Sequence, residues 1–303
     1  MKIAVTGASG LIGSALVPAL REDGHEVIRL VRRTPRTADE HRWDPQHRRI
    51  DAAVLADVDA VVNLAGTPIR PRPFTASYKR DLLASRVDST TTISEALATA
   101  AAVDPSRPRV LLSASAVGYY GDTGDRVTDE QAPPGDDFLA RVCVEWEAAT
   151  RPATDAGVRV VTLRTGLVID RGAMLVRILG TVFRLGLGGR MGSGRQYWPW
   201  VGLADEIGAI RFLLTADGVR GPVNLTGPEP VPNAEFVREL AAAVHRPAVL
   251  PVPAFAIRAG LGEFGRSSVL AGQRAVPAAL QAAGYRFTHA TLSSALHQAL
   301  ARR

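Results

Sequence analysis

The stretch LLSASAVGYYG, residues 111–121, ends an apolar run with hydroxyl groups that could do chemistry. Ser115 can donate a hydrogen bond, and Tyr119 and Tyr120 are phenols that can act as general acid or base. An unassisted tyrosine has a pKa of about 10, so it needs a cationic neighbour to serve as a base at neutral pH. The alternative is that both rings only pack a pocket wall.

The segment TGASGLIG, residues 6–13, follows the first apolar run and leads into a helical stretch. Gly7, Gly10 and Gly13 have a GxxGxxG spacing, which is related to the GxGxxG fingerprint of dinucleotide-binding proteins. Such glycines permit a tight turn and let a pyrophosphate approach backbone N–H groups at the positive end of a helix. The position between strand and helix favours a dinucleotide site over the alternative, a plain tight turn.

The end of the second apolar run indicates which dinucleotide is bound. An NAD site places an acidic residue about 20 residues after the glycines, where it binds the ribose 2′-hydroxyl. Arg32 and Arg33 stand at that place here. A guanidinium can bind a 2′-phosphate that a carboxylate would repel, so we predict NADP as the cofactor. The alternative is that the basic run up to Arg49 is a solvated face or a nucleic-acid patch.

Composition bounds the class of protein. The chain has 303 residues, 46% of them hydrophobic, which predicts one large domain or two interlocked ones. The single cysteine, Cys143, excludes an internal disulfide and suits a reducing compartment. No apolar stretch reaches membrane-spanning length, and the first residues read as a strand rather than a signal peptide. We therefore expect a cytoplasmic protein that does not interact with membranes.

The net charge of +6 comes from 36 basic and 30 acidic residues, and nearly all the basic ones are arginine. This excess favours anionic ligands, although it also accompanies nucleic-acid binding. We expect no nucleic-acid partner, because the arginine-rich stretch lacks a recognisable binding module. The six histidines are scattered without metal-ligand spacing, so we predict no metal site.

The elements that position these residues alternate along the first two thirds of the chain. Strands are predicted at residues 2–7, 26–31, 60–66, 109–114 and 159–166, with helical stretches between them. Strands that are apolar on both faces and separated by helices are typical of a parallel sheet covered on both sides. We predict an α/β fold with a Rossmann-type doubly wound parallel sheet.

The sequence pattern changes after residue 166. An amphipathic helix over GAMLVRILGTVFRLGLG is followed by the glycine-rich loop GGRMGSGRQYWPWVG and a second helix over ADEIGAIRFLLTA. A strand predicted near residues 221–226 returns to the sheet, and helices punctuated by proline follow. We predict an NADP-binding domain over residues 1–166. Residues 167–303 would form a substrate-side region and a smaller, mostly α C-terminal cap.

Ordered motifs along nearly the whole chain support a family resemblance. They are TGASGLIGSAL, GHEV followed by VRR, WDP, NLAG, SRV, CVEWEAA, LRTGLVI, FRLGLGG, GSGRQ, PWV, GPVN, NAEF and GQR. In these motifs the chain resembles atypical extended short-chain dehydrogenases/reductases. Among them it is similar to the NAD-dependent epimerase/dehydratase-like "epimerase family" proteins, which bind NADP and carry a characteristic C-terminal domain of unknown function.

The resemblance implies cofactor contacts at particular positions. The phosphates would lie on the glycine turn, the adenosine end on Arg32, and other contacts would come from the NLAG turn, the helix after it and the LRTG segment. For Asp81 and Arg86 on that helix, the alternative is an ordinary surface pair. The implied cofactor-binding residues are Gly7, Ala8, Ser9, Gly10, Leu11, Ile12, Gly13, Val31, Arg32, Leu64, Ala65, Gly66, Asp81, Arg86 and Val168.

The resemblance also bears on catalysis. Ser115 matches the serine that short-chain dehydrogenases place after this strand, where a Tyr-x-x-x-Lys pair normally follows on the next helix. That helix, DDFLARVCVEWEAAT, lacks the pair, as does the family that the chain resembles. Tyr119 and Tyr120 remain as acid/base candidates, with Ser115 as hydrogen-bond donor. Cys143 is most simply a buried apolar residue. Arg86 replaces an asparagine common in mainstream relatives and could orient the cofactor or stabilise an oxyanion.

The substrate side is formed, by similarity, from GSGRQYWPW. Arg195 and Gln196 could hold a carboxylate, phosphate or carbonyl, and Trp200 would supply a flat apolar surface. Relatives often carry a histidine two residues after this tryptophan. This chain has Gly202 there, although Asp205 fits the acidic position that follows.

Two functions of different classes remain open. The first is an NADP(H)-binding oxidoreductase or epimerase-like protein that acts on an unidentified small molecule. The second is a non-catalytic NADP(H)-dependent sensor that acts on a protein partner, since some members of the family are linked to cell division. The missing Tyr-x-x-x-Lys pair favours the sensor, while the aromatic and basic pocket favours the enzyme.

Overall fold

Fourteen strands occur in the part of the chain that the computed structural model describes, residues 1–51 and 53–301. They are β1 (Lys2–Thr6), β2 (Glu26–Val31), β3 (Glu40–Asp44), β4 (Arg49–Ile50), β5 (Ala60–Asn63), β6 (Val110–Ala116), β7 (Val127–Thr128), β8 (Arg159–Thr165), β9 (Leu167–Ile169), β10 (Tyr197–Trp198), β11 (Trp200–Gly202), β12 (Gly221–Leu225), β13 (Val231–Pro232) and β14 (Arg274–Ala275).

Eight of these strands form the main sheet, in the order β12-β8-β6-β5-β1-β2-β3-β4. Neighbouring strands are parallel except for β3 and β4, which form an antiparallel edge. The strand order reverses direction at β1, the kind of switch point beyond which open α/β sheets bind ligands. The predicted doubly wound parallel sheet is confirmed.

Eleven α-helices lie in the described residues. They are α1 (Leu11–Glu22), α2 (Ala53–Ala56), α3 (Ala76–Val103), α4 (Phe138–Ala148), α5 (Arg151–Asp155), α6 (Met174–Arg184), α7 (Leu203–Thr215), α8 (Asn233–Ala243), α9 (Ala254–Phe264), α10 (Ala278–Ala282) and α11 (Leu292–Leu300). The side chains of Thr75 and Asp137 accept hydrogen bonds from the first turns of α3 and α4 and so fix where these helices begin.

The two faces of the sheet carry separate cores because side chains alternate along each strand. Ile3 and Val5 pack in the cluster formed with α1 and α7, whereas Ala4 packs in the cluster formed with α3 and α5. Both clusters consist mainly of buried aliphatic residues, and burial of each valine, leucine or isoleucine among them stabilises the fold by about 1.5–3 kcal/mol.

Several short strands were not predicted. In EHRWD, the sequence of β3, only Trp43 is a buried hydrophobic residue, so the segment lacks the apolar run of a central strand. The loop GGRMGSGRQYWPWVG contains β10 and β11, which pair with β13 and β9 outside the main sheet. Pairing with distant segments creates these strands, and local sequence carries no signal for it.

The C-terminal region is mostly helical, as predicted, and is attached to the loop that follows β6. Strand β14 pairs with β7, and the backbone N–H of Gly272 donates to Asp122. Gln273 donates to the carbonyl of Gly121 at 2.6 Å. The segment 272–274 therefore lies directly against the residues that follow Tyr120.

Candidate cofactor and substrate site

The glycine turn after β1 leaves no room for side chains. A Cβ atom at Gly7, where φ is +63°, would lie 2.6 Å from the carbonyl oxygen of Leu64. A Cβ at Gly13 would lie 2.4 Å from the carbonyl oxygen of Gly7. Gly10 begins α1 without a side-chain cap, so the first N–H groups of the helix have no side-chain acceptor and suit an anion.

Buried hydrogen bonds hold the NLAG turn beside this glycine turn. The hydroxyl of Thr6 donates to Asn63 at 2.7 Å and accepts from the backbone N–H groups of Leu64 and Ala65. Asn63 in turn donates to Thr90 of α3 at 2.9 Å. The carboxyl ends of β1 and β5 and the helix α3 are thus fixed relative to one another.

The two arginines after β2 have different surroundings. Arg33 donates from both terminal nitrogens to Glu40, each at 2.7 Å, and this pairing lowers the pKa of Glu40 to about 2. Arg32 is exposed and forms no side-chain hydrogen bond or ion pair with residues 1–51 or 53–301. Of the pair, Arg32 is the one whose guanidinium is available to a ligand.

Ser115, at the end of β6, is buried and already bonded. Its hydroxyl donates to Glu147 of α4 at 2.6 Å. The same carboxylate accepts two hydrogen bonds from Arg164 of β8, at 2.8 and 2.9 Å. Burial works against the charge of Arg164, but the hydrogen bonds that it donates to Glu147 raise its pKa. This ion pair joins two strand ends to α4.

Tyr120 belongs to the same network. It is 3% exposed, its hydroxyl donates to Asn224 of β12 at 2.7 Å, and it accepts from Arg164 at 3.0 Å. Burial raises the pKa of Tyr120 to about 12, although Arg164 and Asn224 oppose the shift. The phenol is therefore protonated at neutral pH and its hydroxyl is occupied, which suits a structural role better than acid/base catalysis.

Tyr119 is placed differently, since it is only partly buried. The guanidinium of Arg164 lies 3.5 Å from the centroid of its ring, and its hydroxyl has no hydrogen-bond partner in the described chain. Tyr119 is the tyrosine of this pair whose hydroxyl a ligand could use.

Arg86 of α3 is 8% exposed, so it is not the surface residue that helical spacing alone would suggest. Its Nη1 donates to the carbonyl oxygens of Thr67 and Leu82, and its guanidinium lies 4.9 Å from the ring of Trp146. It also contacts Gly66, where a Cβ would be 3.4 Å from its Cγ. Burial lowers the pKa of Arg86.

Cys143 is buried, as expected from the apolar face that it shares with Leu139 and Trp146. Burial raises the pKa of its thiol to about 12, so the thiol is not ionised at neutral pH.

The structure shows fewer contacts for the remaining predicted cofactor residues. Val31 and Val168 are partly buried, and Val168 lies in β9 beside Val201 of β11. Asp81 is exposed, without a side-chain partner in the described residues. Between separate segments of the predicted site, Gly7 lies against Leu64, and Gly66 lies against Arg86.

Two of the three predicted substrate residues are buried in structural contacts. Gln196 donates to the carbonyl oxygens of Met191 and Val269, and Trp200 is 1% exposed with its N–H donating to Glu229. Arg195 is exposed, with no side-chain partner in the described part of the chain. Of the three, Arg195 alone has a polar group free for a ligand.

Asp205 anchors the C-terminal segment. It accepts from the backbone N–H groups of Thr288 and His289, and the ring of His289 lies 3.2 Å from its carboxylate. His289 is also 3.6 Å from where a Cβ of Gly202 would be. A histidine from the C-terminal region thus lies beside the position where relatives often carry one.

Some features of the site were not predicted from sequence. Glu147, Arg164 and Asn224 are far apart in the chain; each lies in one of the ordered motifs, CVEWEAA, LRTGLVI and GPVN, but the sequence did not indicate that they meet. In the described residues no group of histidine, cysteine, aspartate or glutamate side chains could hold a metal ion, and none of the helices there is long and apolar enough to cross a membrane. A surface cavity of about 520 Å³ lies elsewhere, between α8 and residues 246–251, and is lined by none of the predicted site residues.

The parallel sheet has a glycine turn at its switch point, in which Gly7 and Gly13 have no room for a side chain, and a helix N-terminus follows this turn. These features define a dinucleotide-binding protein. Residues 3–225 match the NAD dependent epimerase/dehydratase family, and residues 252–299 match a domain of unknown function that is named DUF1731. The chain belongs to the NAD dependent epimerase/dehydratase family. The predicted family is confirmed.

Individual relatives cover the chain almost completely. The epimerase family protein Mb2239 of Mycobacterium bovis is 47% identical over 300 residues, which are 99% of this chain and 98% of that protein. The crystal structure of human epimerase family protein SDR39U1 (isoform 2) with NADPH superposes with a TM-score of 0.85 at 32% identity, covering 99% of both chains. A nucleoside-diphosphate sugar epimerase from Corynebacterium glutamicum gives a TM-score of 0.81 at 35% identity, covering 99% of this chain and 58% of that one.

Proposed function

We propose that this protein binds NADP(H) and acts as an epimerase-like oxidoreductase on a small molecule. The observation that carries the proposal is the exposed Arg32, which has no partner in the described residues, whereas its neighbour Arg33 is bound to Glu40. A free guanidinium after β2 fits the 2′-phosphate that distinguishes NADP from NAD. The human relative crystallised with NADPH supports the same cofactor.

The cofactor would lie across the carboxyl edge of the sheet. Its pyrophosphate would bind the N–H groups of residues 7–13, its adenosine end Arg32 and Val31, and its other half the NLAG turn. The predicted contacts of Asp81, Arg86 and Val168 belong to this proposal. Tyr119 is the acid/base candidate that the geometry favours, because its hydroxyl is unoccupied and Arg164 lies over its ring.

Titration with NADPH and NADH tests the cofactor. We expect NADPH to bind at least about tenfold more tightly, a difference of about 1.4 kcal/mol. Arg32→Ala should remove the preference, while Arg33→Ala, the matched control, should retain it. Equal affinity for the two cofactors, or a preference unchanged in Arg32→Ala, would refute the assignment.

The second candidate function is an NADP(H)-dependent sensor that acts on a protein partner. It is supported by the hydrogen bonds that already occupy the hydroxyls of Ser115 and Tyr120, because these two groups are then not available for acid/base catalysis. Incubation of the protein with 4-deuterated NADPH and a metabolite extract separates the two functions. Deuterium transfer that Tyr119→Phe reduces supports the enzyme, and the absence of transfer by a protein that still binds NADPH supports the sensor.

A further inference from the structure

A groove lies between α8 and the segment of chain that returns beside it. The chain turns after α8 at His245, where φ is +54°, and residues 246–251 run back along the helix. The backbone N–H of Leu250 donates to the carbonyl of Gly188 at 3.0 Å and so fixes this segment. The groove has a volume of about 520 Å³, which is within the range of ligand-binding pockets.

The groove is lined by arginine and apolar side chains. The arginines are Arg190, Arg238 and Arg246, and the other side chains are alanine, valine and proline from α8 and residues 247–251. Arg238 shares its charge with two glutamates of its own helix, each at 3.3 Å. Arg190 and Arg246 donate only to backbone carbonyls among the described residues. Two guanidinium groups are therefore available to an anion from outside the chain.

The segments that form this part of the surface carry no acidic residue. Residues 171–204 contain five arginines and residues 240–262 contain two, and neither range contains an aspartate or a glutamate. The whole chain, in contrast, has 36 basic and 30 acidic residues. This local excess of positive charge attracts an anionic partner and repels a cationic one.

Large apolar side chains are exposed in the same segments. Val249 is 66% exposed, Leu250 47%, Phe255 73%, and Leu187, next to the residue that binds Leu250, 54%. A cluster of exposed apolar residues with charged neighbours marks an interaction surface. Arginine and aromatic residues are enriched at protein interfaces, whereas lysine and glutamate are depleted there. The composition of this surface is therefore that of a protein interface.

Charge and shape distinguish between the possible occupants. A two-fold contact between copies of this chain places the same surface against itself, so that arginines would face arginines. An anionic membrane would contact the protruding side chains and leave the groove unfilled. A segment of a partner protein can place apolar side chains in the groove and carboxylates on the guanidinium groups at its rim.

We propose that the groove between α8 and residues 246–251 binds an acidic segment of a partner protein. Apolar side chains of that segment fill the groove, and its carboxylates bind Arg190 and Arg246. The inference is independent of the proposed NADP(H) function, because none of the predicted cofactor and substrate residues lines the groove.

A fluorescein-labelled amphipathic peptide of leucine, alanine and glutamate is the probe, and fluorescence anisotropy measures its binding to the whole protein. The matched peptide has glutamine in place of glutamate. We expect the acidic peptide to bind at least about tenfold more tightly, and its binding to weaken as salt is added. The double variant Arg190→Glu, Arg246→Glu should lower its affinity at least about tenfold. Arg220→Glu, at an exposed arginine before β12, is the control and should change the affinity less than about threefold.

A second variant tests the apolar part of the surface. Leu250→Ser should weaken binding of both peptides, because it removes an apolar contact and leaves the arginines in place. Titration with NADPH shows whether each variant is folded, and we expect its affinity to stay within about threefold of the wild type.

Equal binding of the two peptides, no saturable binding of the acidic peptide, or unchanged affinity in the double variant would overturn the inference. Cosedimentation with phosphatidylglycerol vesicles without binding of the peptide would identify a membrane as the occupant instead. A dimer that Leu250→Ser dissociates, observed by sedimentation velocity, would identify a second copy, and either result overturns the proposal. Failure to bind the peptide by a protein that binds NADPH contradicts this inference alone, whereas loss of NADPH binding alone contradicts only the proposed function.

Discussion

The hydroxyl of Ser115 donates to Glu147 across 2.6 Å, and the same carboxylate holds Arg164 through two hydrogen bonds. The hydroxyl proton of Ser115 is thereby used in a bond to Glu147, and only the lone pairs of its oxygen remain for a ligand. A serine in this state can accept a hydrogen bond from a ligand hydroxyl but does not donate to a carbonyl. Its contribution to chemistry therefore depends on Glu147.

Loss of Glu147 should destabilise the fold strongly. Glu147→Ala leaves Arg164 buried without its counter-ion, which costs about 3–5 kcal/mol in comparable pairs. Urea denaturation measures the change in the free energy of unfolding. Ser115→Ala, which removes only a hydroxyl, should cost about 1 kcal/mol. Arg151→Ala, in an exposed pair with Asp155, is the control and should change stability little. Similar losses in all three variants would contradict the role of Glu147.

The two tyrosines should respond differently to removal of the hydroxyl. Tyr120→Phe removes the donor to Asn224 Oδ1 and one acceptor of Arg164, so we expect a loss of about 1–3 kcal/mol of stability. Tyr119→Phe should leave stability nearly unchanged, because its hydroxyl has no partner in the described chain. Thermal unfolding of both variants checks this. A stable Tyr120→Phe that has lost hydride transfer would instead make Tyr120 catalytic.

Addition of one methyl group to the glycine turn should lower both stability and NADPH affinity. Gly13→Ala places a Cβ 2.4 Å from the carbonyl oxygen of Gly7, and overpacking of this kind costs about 1–3 kcal/mol. Displacement of α1 from the turn should also weaken NADPH binding. Denaturation and NADPH titration measure the two effects. Gly260→Ala, in an exposed helix with no atom within 4 Å of the new Cβ, is the control and should be neutral or slightly stabilising.

Glu206 of α7 should make stability depend on pH. It is fully buried, accepts one hydrogen bond from Thr165 and has no partner for its second oxygen in the described chain. Burial raises the pKa of Glu206 to about 8, so the folded state holds the proton more tightly than the unfolded state. Its contribution to stability is therefore complete below the unfolded pKa and is lost as pH rises from about 4.5 to about 8.

The pH dependence can be isolated with Glu206→Gln. The wild type should lose stability on the order of several kcal/mol over that range, and the variant should lose less. Urea denaturation at pH 5 and pH 8 gives the difference. Glu145→Gln, at an exposed position, should behave as the wild type does. Equal pH dependence in wild type and Glu206→Gln would show that Glu206 is ionised in the folded protein.

Local sequence patterns were sufficient to predict the sheet and the glycine turn. The apolar runs at β1, β2, β5, β6 and β8 are contiguous, so strand and helix periodicity predicted these strands and a parallel sheet. The GxxGxxG spacing could be recognised locally, although the close approach at Gly13 is to Gly7 itself whereas that at Gly7 is to the distant Leu64. The burial of Cys143 was likewise predicted from its position on an apolar helix face.

Only the tertiary structure decided whether each candidate side chain is buried and whether its polar groups are already hydrogen-bonded. Sequence treated Tyr119 and Tyr120 alike, but only Tyr120 meets Asn224, 104 positions away. The family resemblance assigned Arg32 to the cofactor, and the structure adds that its neighbour Arg33 is bound to Glu40 of β3. Arg86 was predicted as a cofactor contact with an exposed surface pair as the alternative, and the structure shows it buried. The sequence determines which groups reach the carboxyl edge of the sheet, because that depends on local periodicity. Which of them are free to bind a ligand depends on long-range contacts, and these form only when the chain has folded.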